Sequence, residues 1–440
     1  FFFNDRATPR ISPLSLPDAF PFWEQAISDK AGGKSQKQSA SNEALQLKRW
    51  SFRSLNQGDG NEQGFYRIKT IDNGGGNLYS NILYTDYENK KEIFLCDKPE
   101  CRHNDTSCTS YYAGLDMITQ LIVQQDHVYL IANEDSVVNE KNETVTVPAR
   151  ILQMDLDGKN RKELCQLPSG YGFSYEDWAV AGDVLYVPVE KTENVSTEEG
   201  EMSSAVQVVR EKKLYAIQLS SGEQKVVADM KNKSILGCMG RNLIVNAYRY
   251  KEDPEELLDK GDFAGYDRAS QQAEIAYERV NVDSGRVEKS FHTDADTLGV
   301  FVNDSIYYTD TGGMLKQLNM KDGKVYARKQ LDTSSASLMF GEDDHLFLYL
   351  GEKEYIYSLK DDSLKPATLQ MSDTQEPIRL LGESRDMYYV IYDQVGEVKK
   401  TWAGTDQYEA SSYAYGLIKK KDYWNNKADY IPVDVIVKGE

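Results

Sequence analysis

The stretch Met154-Asp155-Leu156-Asp157-Gly158 places an alternating apolar and polar segment directly before an acidic residue and a glycine. Asp-Gly and Ser-Gly pairs supply the positive φ that a tight β-hairpin turn requires. Similar stretches recur at 217–222, 280–285 and 318–323, and a variant without the glycine lies at 357–362. This repetition predicts that one β-hairpin is copied along the chain.

A second repeated element lies upstream of each turn. A polar pair leads into an apolar strand, as in Asp126-His127-Val128-Tyr129-Leu130. One apolar residue of this strand, the anchor, occurs in seven copies, which are separated by 63, 57, 58, 63, 40 and 41 residues. The shortest separations match a four-stranded propeller blade, which is about 40–45 residues long. The seven anchors are Tyr66, Tyr129, Tyr186, Ile244, Tyr307, Phe347 and Tyr388.

These repeats predict an all-β fold, a seven-bladed β-propeller of four-stranded antiparallel blades over residues 47–440. Residues 1–46 are predicted to form an extended N-terminal segment and linker, because Ser, Lys, Gln, Ala and Gly dominate 29–45. The last strand, 430–437, is expected to pair with this N-terminal segment and close the ring. Six or eight blades and a pair of β-sandwiches are the alternatives.

The composition limits the partners of the protein. Its 440 residues carry a formal net charge of -19, which disfavours binding to nucleic acid and to anionic membranes. No apolar run reaches the length of a membrane-spanning helix. A monomer is expected, with a protein, peptide or glycan as its ligand.

Most repeat units are longer than the shortest one, which spans 40 residues. Their extra residues fall in the predicted connections between strands 2 and 3. In a propeller these connections share one face with the crossovers from strand 4 to the next blade. Loops on a rigid scaffold are where binding sites usually lie, so this face is the predicted binding face. The alternative is that loop length varies freely on a tolerant surface and has no role in binding. The four enlarged connections are 133–148, 190–205, 250–273 and 393–412.

Five residues in two of these connections are candidate ligand contacts. Trp402 and Tyr408 could form a stacking platform for sugars or peptides, and local packing is the alternative. The other three lie in an acidic stretch, for which a merely solvated surface is the alternative. They are Glu255, Glu256 and Asp262.

A cysteine cluster, Cys96-x4-Cys101-x-His103-x4-Cys108, is the most specific feature of the chain. It is expected in the crossover between the first two units, and hence on the predicted binding face. One disulfide within the cluster is the favoured interpretation, because extracellular surroundings are oxidising. A closed tetrahedral zinc site and unpaired thiols are the alternatives. None of these implies catalysis, and no other cofactor is expected.

Sequence motifs of known catalytic sites are missing. The chain has no G-x-S-x-G, phosphate-binding loop, dinucleotide fingerprint or H-E-x-x-H. The favoured function is therefore non-enzymatic binding. The alternatives are a carbohydrate-active hydrolase or lyase that uses carboxylates near the central channel, and a structural module of the cell envelope.

Residues 95–105 and 154–164 resemble stretches of secreted lipoproteins of Gram-positive gut anaerobes, which carry TolB-like or domain-of-unknown-function propellers. The resemblance covers about 60–435. It implies an exported binding protein that is attached to the cell surface, with no catalytic residues to transfer. Membrane attachment would require a lipid anchor, and the 440 residues do not include one.

Overall fold

The computed structural model describes residues 43–49, 58–72, 78–113, 119–138, 144–199, 202–332, 336–400 and 405–436. Its principal sheets are seven antiparallel meanders, each with four strands in chain order. The first strands of neighbouring meanders lie side by side around a central channel. The predicted seven-bladed β-propeller of four-stranded blades is therefore confirmed.

The first three blades are described from the innermost strand outward. The strands of blade 1 are Gly58–Gly60, Gly64–Asp72, Leu78–Asp86 and Lys91–Phe94, with Tyr111–Ala113 also pairing with the third. The strands of blade 2 are Gln120–Gln124, His127–Ala132, Arg150–Asp155 and Lys162–Gln166. The strands of blade 3 are Trp178–Ala181, Val184–Glu199, Met202–Gln218 and Gln224–Asp229, with Gly172–Phe173 pairing with the second.

Blades 4 to 7 follow the same order. The strands of blade 4 are Lys233–Met239, Asn242–Arg249, Glu274–Asn281 and Val287–His292. The strands of blade 5 are Val300–Val302, Ser305–Thr309, Met314–Asn319 and Val325–Gln330. The strands of blade 6 are Ala336–Glu342, His345–Leu350, Lys353–Ser358 and Leu364–Pro366. The strands of blade 7 are Arg379–Ser384, Met387–Lys400, Asp406–Lys419 and Ile431–Val433.

Three short helices accompany the blades among the described residues. Helices α1, Pro254–Asp259, and α2, Phe263–Gln271, lie between strands 2 and 3 of blade 4. Helix α3, Lys420–Trp424, precedes the last strand of blade 7. None of these helices has the length and apolar character needed to cross a membrane.

The hydrophobic cores lie between neighbouring blades. All seven predicted anchors are in second strands, and each is at most 6% exposed. Tyr129 of blade 2, for example, packs in one cluster with Trp178 and Leu185 of blade 3. Alternation along each strand places one apolar face against the preceding blade and the other against the following blade. This arrangement explains why so many aromatic residues are fully buried.

The glycine of the repeated turn also contacts the preceding blade. Gly222 and Gly285 have φ values of 75° and 68°. A Cβ atom at Gly222 would lie 2.1 Å from the carbonyl oxygen of Leu164 in blade 2. One at Gly285 would lie 2.0 Å from that of Val227 in blade 3. The turn therefore needs glycine both for its backbone conformation and for the seam between blades.

Residues near the C-terminus join blade 7 to blade 1. Ile431–Val433 is the outer strand of blade 7, and the next residue, Asp434, exchanges backbone hydrogen bonds with Lys90 and Glu92. Among the described residues, the expected pairing of 430–437 with the N-terminal segment is not found. The described partner is the outer strand of blade 1, because that strand presents a free edge beside blade 7.

A short strand from the N-terminal part, Gln46–Lys48, lies inside the ring and pairs with the first strand of blade 3. Leu45 is buried between blades 3 and 4. The Lys48 ammonium group bonds Asp59 of blade 1 at 2.8 Å and the carbonyl oxygen of Val123 of blade 2 at 2.7 Å. Residues 45–48 thus lie inside the ring and connect four blades.

Candidate functional site

The four enlarged connections lie at the predicted face. Each joins strand 2 to strand 3 of an antiparallel meander, so all four leave the ring on the side of the strand 4 to strand 1 crossovers. All four contain regular secondary structure. Blade 2 adds a hairpin, Asp135–Val138 with Thr144–Val147, and blade 4 adds α1 and α2. In blades 3 and 7 the strands themselves continue beyond the sheet as long hairpins.

The acidic residues of blade 4 begin its two helices. The carboxylate of Asp253 accepts a hydrogen bond from the backbone amide of Glu255, and Asp262 accepts one from Gly265 at 2.8 Å. Both are N-cap interactions, which satisfy amides that have no partner within the helix. Asp262, predicted as a ligand contact, therefore has a structural partner. Whether it also contacts a ligand stays a prediction.

Arg210 connects the blade 3 hairpin to helix α1. Its guanidinium bonds Glu193 of the same hairpin at 2.8 Å and both carboxylate oxygens of Asp259 at 2.6 and 3.0 Å. These hydrogen bonds lower the pKa of Asp259 below its usual range. Two-point Arg–carboxylate contacts restrict orientation as well as distance. These ion pairs join the blade 3 hairpin and helix α1 into one unit, the wall.

The other two predicted acidic contacts belong to the same wall. Glu255 is 3.1 Å from Lys231 and 3.8 Å from Arg210. Glu256 faces Lys260 one helical turn later, with 3.4 Å between the charged atoms. Both side chains have cationic partners, so the wall carries less free negative charge than its sequence suggests. Arg210 was not singled out from the sequence, because nothing local relates it to a carboxylate 49 residues away.

Blade 2 is joined to blade 3 at the base of its hairpin. The side-chain amide of Asn133 donates to the backbone oxygen of Phe173 at 3.1 Å and accepts from its amide at 2.6 Å. Glu134 accepts a hydrogen bond from the amide of Gly170 at 3.0 Å. These contacts resemble strand pairing and join the base of the blade 2 hairpin to 170–173, a segment that pairs with the second strand of blade 3 next to its insertion.

The blade 7 hairpin is more exposed. Val395 and Val398 are 59% and 64% exposed, which is unusual for valine in a strand. Tyr408 donates to Asp373 at 3.0 Å, and its Cζ atom would lie 2.8 Å from a Cβ atom at Gly396. The ring therefore lies across the glycine. Desolvation and the Asp373 hydrogen bond raise the pKa of Tyr408 to about 12.

The predicted stacking platform is described only in part. Tyr408 is half-buried, and Trp402 lies outside the described residues. A shallow depression follows the same hairpin beside Tyr408. Its lining residues are Gly396, Glu397, Lys399, Glu409, Ala410 and Ser411.

The two most buried carboxylates that the structure describes form ion pairs. Glu92, fully buried, bonds Arg67 at 2.6 and 3.0 Å. Glu278, 1% exposed, pairs with Lys233 at 3.0 Å and with Arg249. Asp59, at the channel, bonds Lys48. These carboxylates have structural partners, and a catalytic pair near the channel stays an untested alternative.

The cysteine cluster is not in a crossover. Lys91–Phe94 and Tyr111–Ala113 both pair with the third strand of blade 1, in sequence along it. The cluster is therefore an excursion from an interrupted outer strand. Both ends of the excursion bond to the backbone of Ile82. The Ile82 carbonyl oxygen accepts from the amide of Leu95 at 3.0 Å, and the Ile82 amide donates to the carbonyl oxygen of Ser110 at 2.9 Å. The expectation that the cluster shares the binding face is wrong, because it projects from the outer edge of the ring.

The four candidate ligands within this excursion converge. Cys96, Cys101 and Cys108 have free thiols, and their sulfur atoms and one His103 nitrogen all lie within 4.8 Å of one another. Nδ1 of His103 is 3.3 Å from the Cys108 sulfur. The Phe94 ring stacks on the imidazole, with centroids 4.1 Å apart.

The chain is similar in fold to parts of several solved propeller-containing proteins. No protein-family model and no curated protein matches it. Acylaminoacyl peptidase from Pyrococcus horikoshii is 14% identical over 68% of this chain, with a TM-score of 0.39, and the chain spans about half, 48%, of that protein. A puromycin hydrolase is 10% identical over 82% of this chain and 58% of its own, with a TM-score of 0.44.

The propeller domain of the Trilobed protease from Pyrococcus furiosus gives a similar result. It is 13% identical over 69% of this chain and 89% of that domain, with a TM-score of 0.37. All of these TM-scores are below 0.5, so the similarities carry no information about activity. The resemblance to TolB-like lipoproteins therefore stays a prediction.

Proposed function

We propose that this protein is an extracytoplasmic, non-enzymatic binding propeller that recognises a protein or peptide on the face carrying the four insertions. The observation that carries the proposal is that every enlarged connection leaves the ring on one side. The blade 2 insertion is joined to the segment before blade 3, and the blade 3 hairpin is joined to helix α1. A preorganised surface loses little conformational entropy when a partner binds.

The long hairpins favour a protein or peptide over a glycan. In the described part of the blade 3 hairpin, Lys191–Glu199 pairs only with the opposite strand of the hairpin. An extended peptide can add to such an edge through backbone hydrogen bonds. The exposed Val395 and Val398 offer apolar contacts on the other long hairpin. Sugar recognition would rely mainly on aromatic stacking, and the ring of Tyr408 already packs on its own hairpin.

The location outside the cytoplasm and attachment to the cell surface are part of the same proposal. Their support is the resemblance of residues 95–105 and 154–164 to secreted lipoproteins. The formal net charge of -19 agrees with a neutral or cationic ligand and disfavours nucleic acid. We propose that the chain acts as a monomer.

Shortened hairpins test the binding face directly. In one variant an Asn-Gly turn replaces 195–206, joining the paired Asn194 and Gln207 and keeping the Arg210 contacts. In a second, Asn-Gly replaces 398–408 between the paired Glu397 and Glu409. Lys324→Glu, on a strand 3 to strand 4 turn of the opposite face, is the control.

Peptide and glycan arrays are probed with all three variants and the original chain. We expect peptide signals that disappear in the shortened variants and persist in the control. Persistence of the signals in both shortened variants would refute the assigned face. Glycan signals alone would replace the peptide with a glycan. Shortening of an oligosaccharide during incubation would support the hydrolase or lyase.

A further inference from the structure

The four side chains at the base of the cysteine excursion fit one tetrahedral ion. Zinc–sulfur and zinc–nitrogen bonds of about 2.3 and 2.0 Å place ligand atoms roughly 3.5–3.8 Å apart at tetrahedral angles. The observed 3.3 Å between Nδ1 of His103 and the sulfur of Cys108 is close to this separation. All four ligand atoms are within 4.8 Å of one another, so small movements complete the geometry.

We propose that Cys96, Cys101, His103 and Cys108 bind one structural Zn²⁺ ion. Three thiolates and a neutral imidazole form a closed site, with no position for water or substrate. Binding replaces three thiol protons, which are released to solvent, and no electron is transferred. The ion holds the excursion on the outer edge of blade 1. This proposal is independent of the binding face.

A disulfide explains less of the arrangement than zinc does. It would join two sulfur atoms at about 2.05 Å and leave the third cysteine and the imidazole without a role. Here all three sulfurs and an imidazole nitrogen lie within 4.8 Å of one another. The backbone amide of Ser110 also donates to the Cys108 sulfur, with 3.3 Å between the atoms. Amide donors of this kind stabilise thiolate ligands and hold them in place.

The excursion contacts blade 2 at the repeated Asp157-Gly158 turn and the residues that follow it. Lys159 bonds Asp97 at 2.7 Å, and Arg161 donates to the carbonyl oxygens of Tyr111, at 2.7 Å, and Thr109. A Cβ atom at Gly158 would lie 2.8 Å from the Thr109 oxygen. Zinc with three thiolates carries one net negative charge, and Lys159 and Arg161 supply cations beside it. The ion therefore stabilises the seam between blades 1 and 2.

Metal analysis and thiol counting test the site together. The chain is produced without a histidine tag, purified with a thiol reductant and no chelator, and freed of reductant before mass-spectrometric zinc measurement. We expect about one zinc per chain. The Cys96→Ser/Cys108→Ser variant should lose it. The control, Cys165→Ser/Cys238→Ser, removes the two cysteines outside the cluster and should keep it.

The original chain provides a second measurement that does not depend on a variant folding. With zinc bound, three of the five cysteines should be protected from a thiol reagent until a chelator is added, after which the unfolded chain should show all five. A disulfide would consume two of the five and leave three, with no zinc. That result would overturn the proposal, as would equal zinc content in the two double variants.

Discussion

Arg67 and Glu92 form a two-bond ion pair inside blade 1, with N···O distances of 2.6 and 3.0 Å, and both side chains are almost completely buried. The pair reaches across the closing seam of the ring. Arg67 also donates to the hydroxyl of Tyr415 in blade 7 at 3.3 Å, and Glu92 accepts from the amide of Ile436 at 3.1 Å. Closure of the propeller therefore depends on a buried charge pair as well as on apolar packing.

Glu92→Gln should destabilise the protein strongly. It removes the carboxylate that pairs with the buried guanidinium of Arg67, and breaking such a pair costs about 3–5 kcal/mol. Equilibrium unfolding in urea measures the change. Glu62→Gln is the matched control, because Glu62 and Arg385 join the same two blades at the surface, 2.7 Å apart. An exposed pair contributes much less to stability than a buried one, because water screens its charges. Equal losses in the two variants would contradict the role assigned to the buried pair.

Gly285→Ala should destabilise the protein more than Gly240→Ala. Both glycines have positive φ, 68° and 60°, so both substitutions introduce backbone strain of about 1 kcal/mol. A Cβ atom at Gly285 would also meet the Val227 oxygen at 2.0 Å, whereas one at Gly240 would meet nothing within 4 Å. Thermal unfolding of the two variants gives the comparison. Similar melting temperatures would show that the turn glycine serves the backbone alone.

The blades could be predicted from the residues of the repeated turn and from the alternation of apolar and polar residues along the strands. The acidic residue and glycine after Leu156 and the apolar strand around Tyr129 act through neighbours a few residues away, so a single sequence reveals them. Seven copies then define the ring. The same local information indicated where the insertions leave it, because each insertion follows a recognisable second strand.

The cluster and the wall depend on contacts that are distant in sequence. Tyr111 pairs with Asn81, 30 residues earlier, and this pairing makes the cysteine stretch an excursion rather than a crossover. Arg210 reaches Asp259 over 49 residues. Neither pairing leaves a periodic pattern, since each uses one or two polar side chains whose neighbours look like ordinary surface residues. The local sequence therefore revealed the cysteine and histidine cluster but not its place in the sheet.

Asp310→Asn should weaken the protein at neutral pH and leave it unchanged in acid. The Lys316 hydrogen bond, 2.8 Å long, and backbone amides, among them that of Met314, hold the pKa of Asp310 below its usual value. A carboxyl group with a lowered pKa stabilises the fold above the pKa it has when unfolded. That contribution is lost as the pH falls through the lower, folded-state value.

Urea unfolding of the original chain and of Asp310→Asn, from pH 7 down to about pH 2, measures this contribution. We expect a difference of about 1 kcal/mol or less at pH 7, in the range of a surface ion pair. The two unfolding curves should converge in acid. A difference that stays constant with pH would mean that the asparagine changes the turn itself and that the charge is unimportant.

Arg210→Ala should loosen the wall without unfolding the propeller. Arg210 is the described side chain that holds Glu193 of the hairpin and Asp259 of α1 together, and both carboxylates are at least 49% exposed. Its loss should therefore change global stability little, because water screens exposed ion pairs, while amide hydrogen exchange at 190–195 and 255–259 becomes faster. Lys260→Ala, which removes only the contact to Glu256 within α1, is the control. If exchange in the hairpin is the same in both variants, apolar packing at the base of the hairpin, rather than this ion pair, holds the two insertions together.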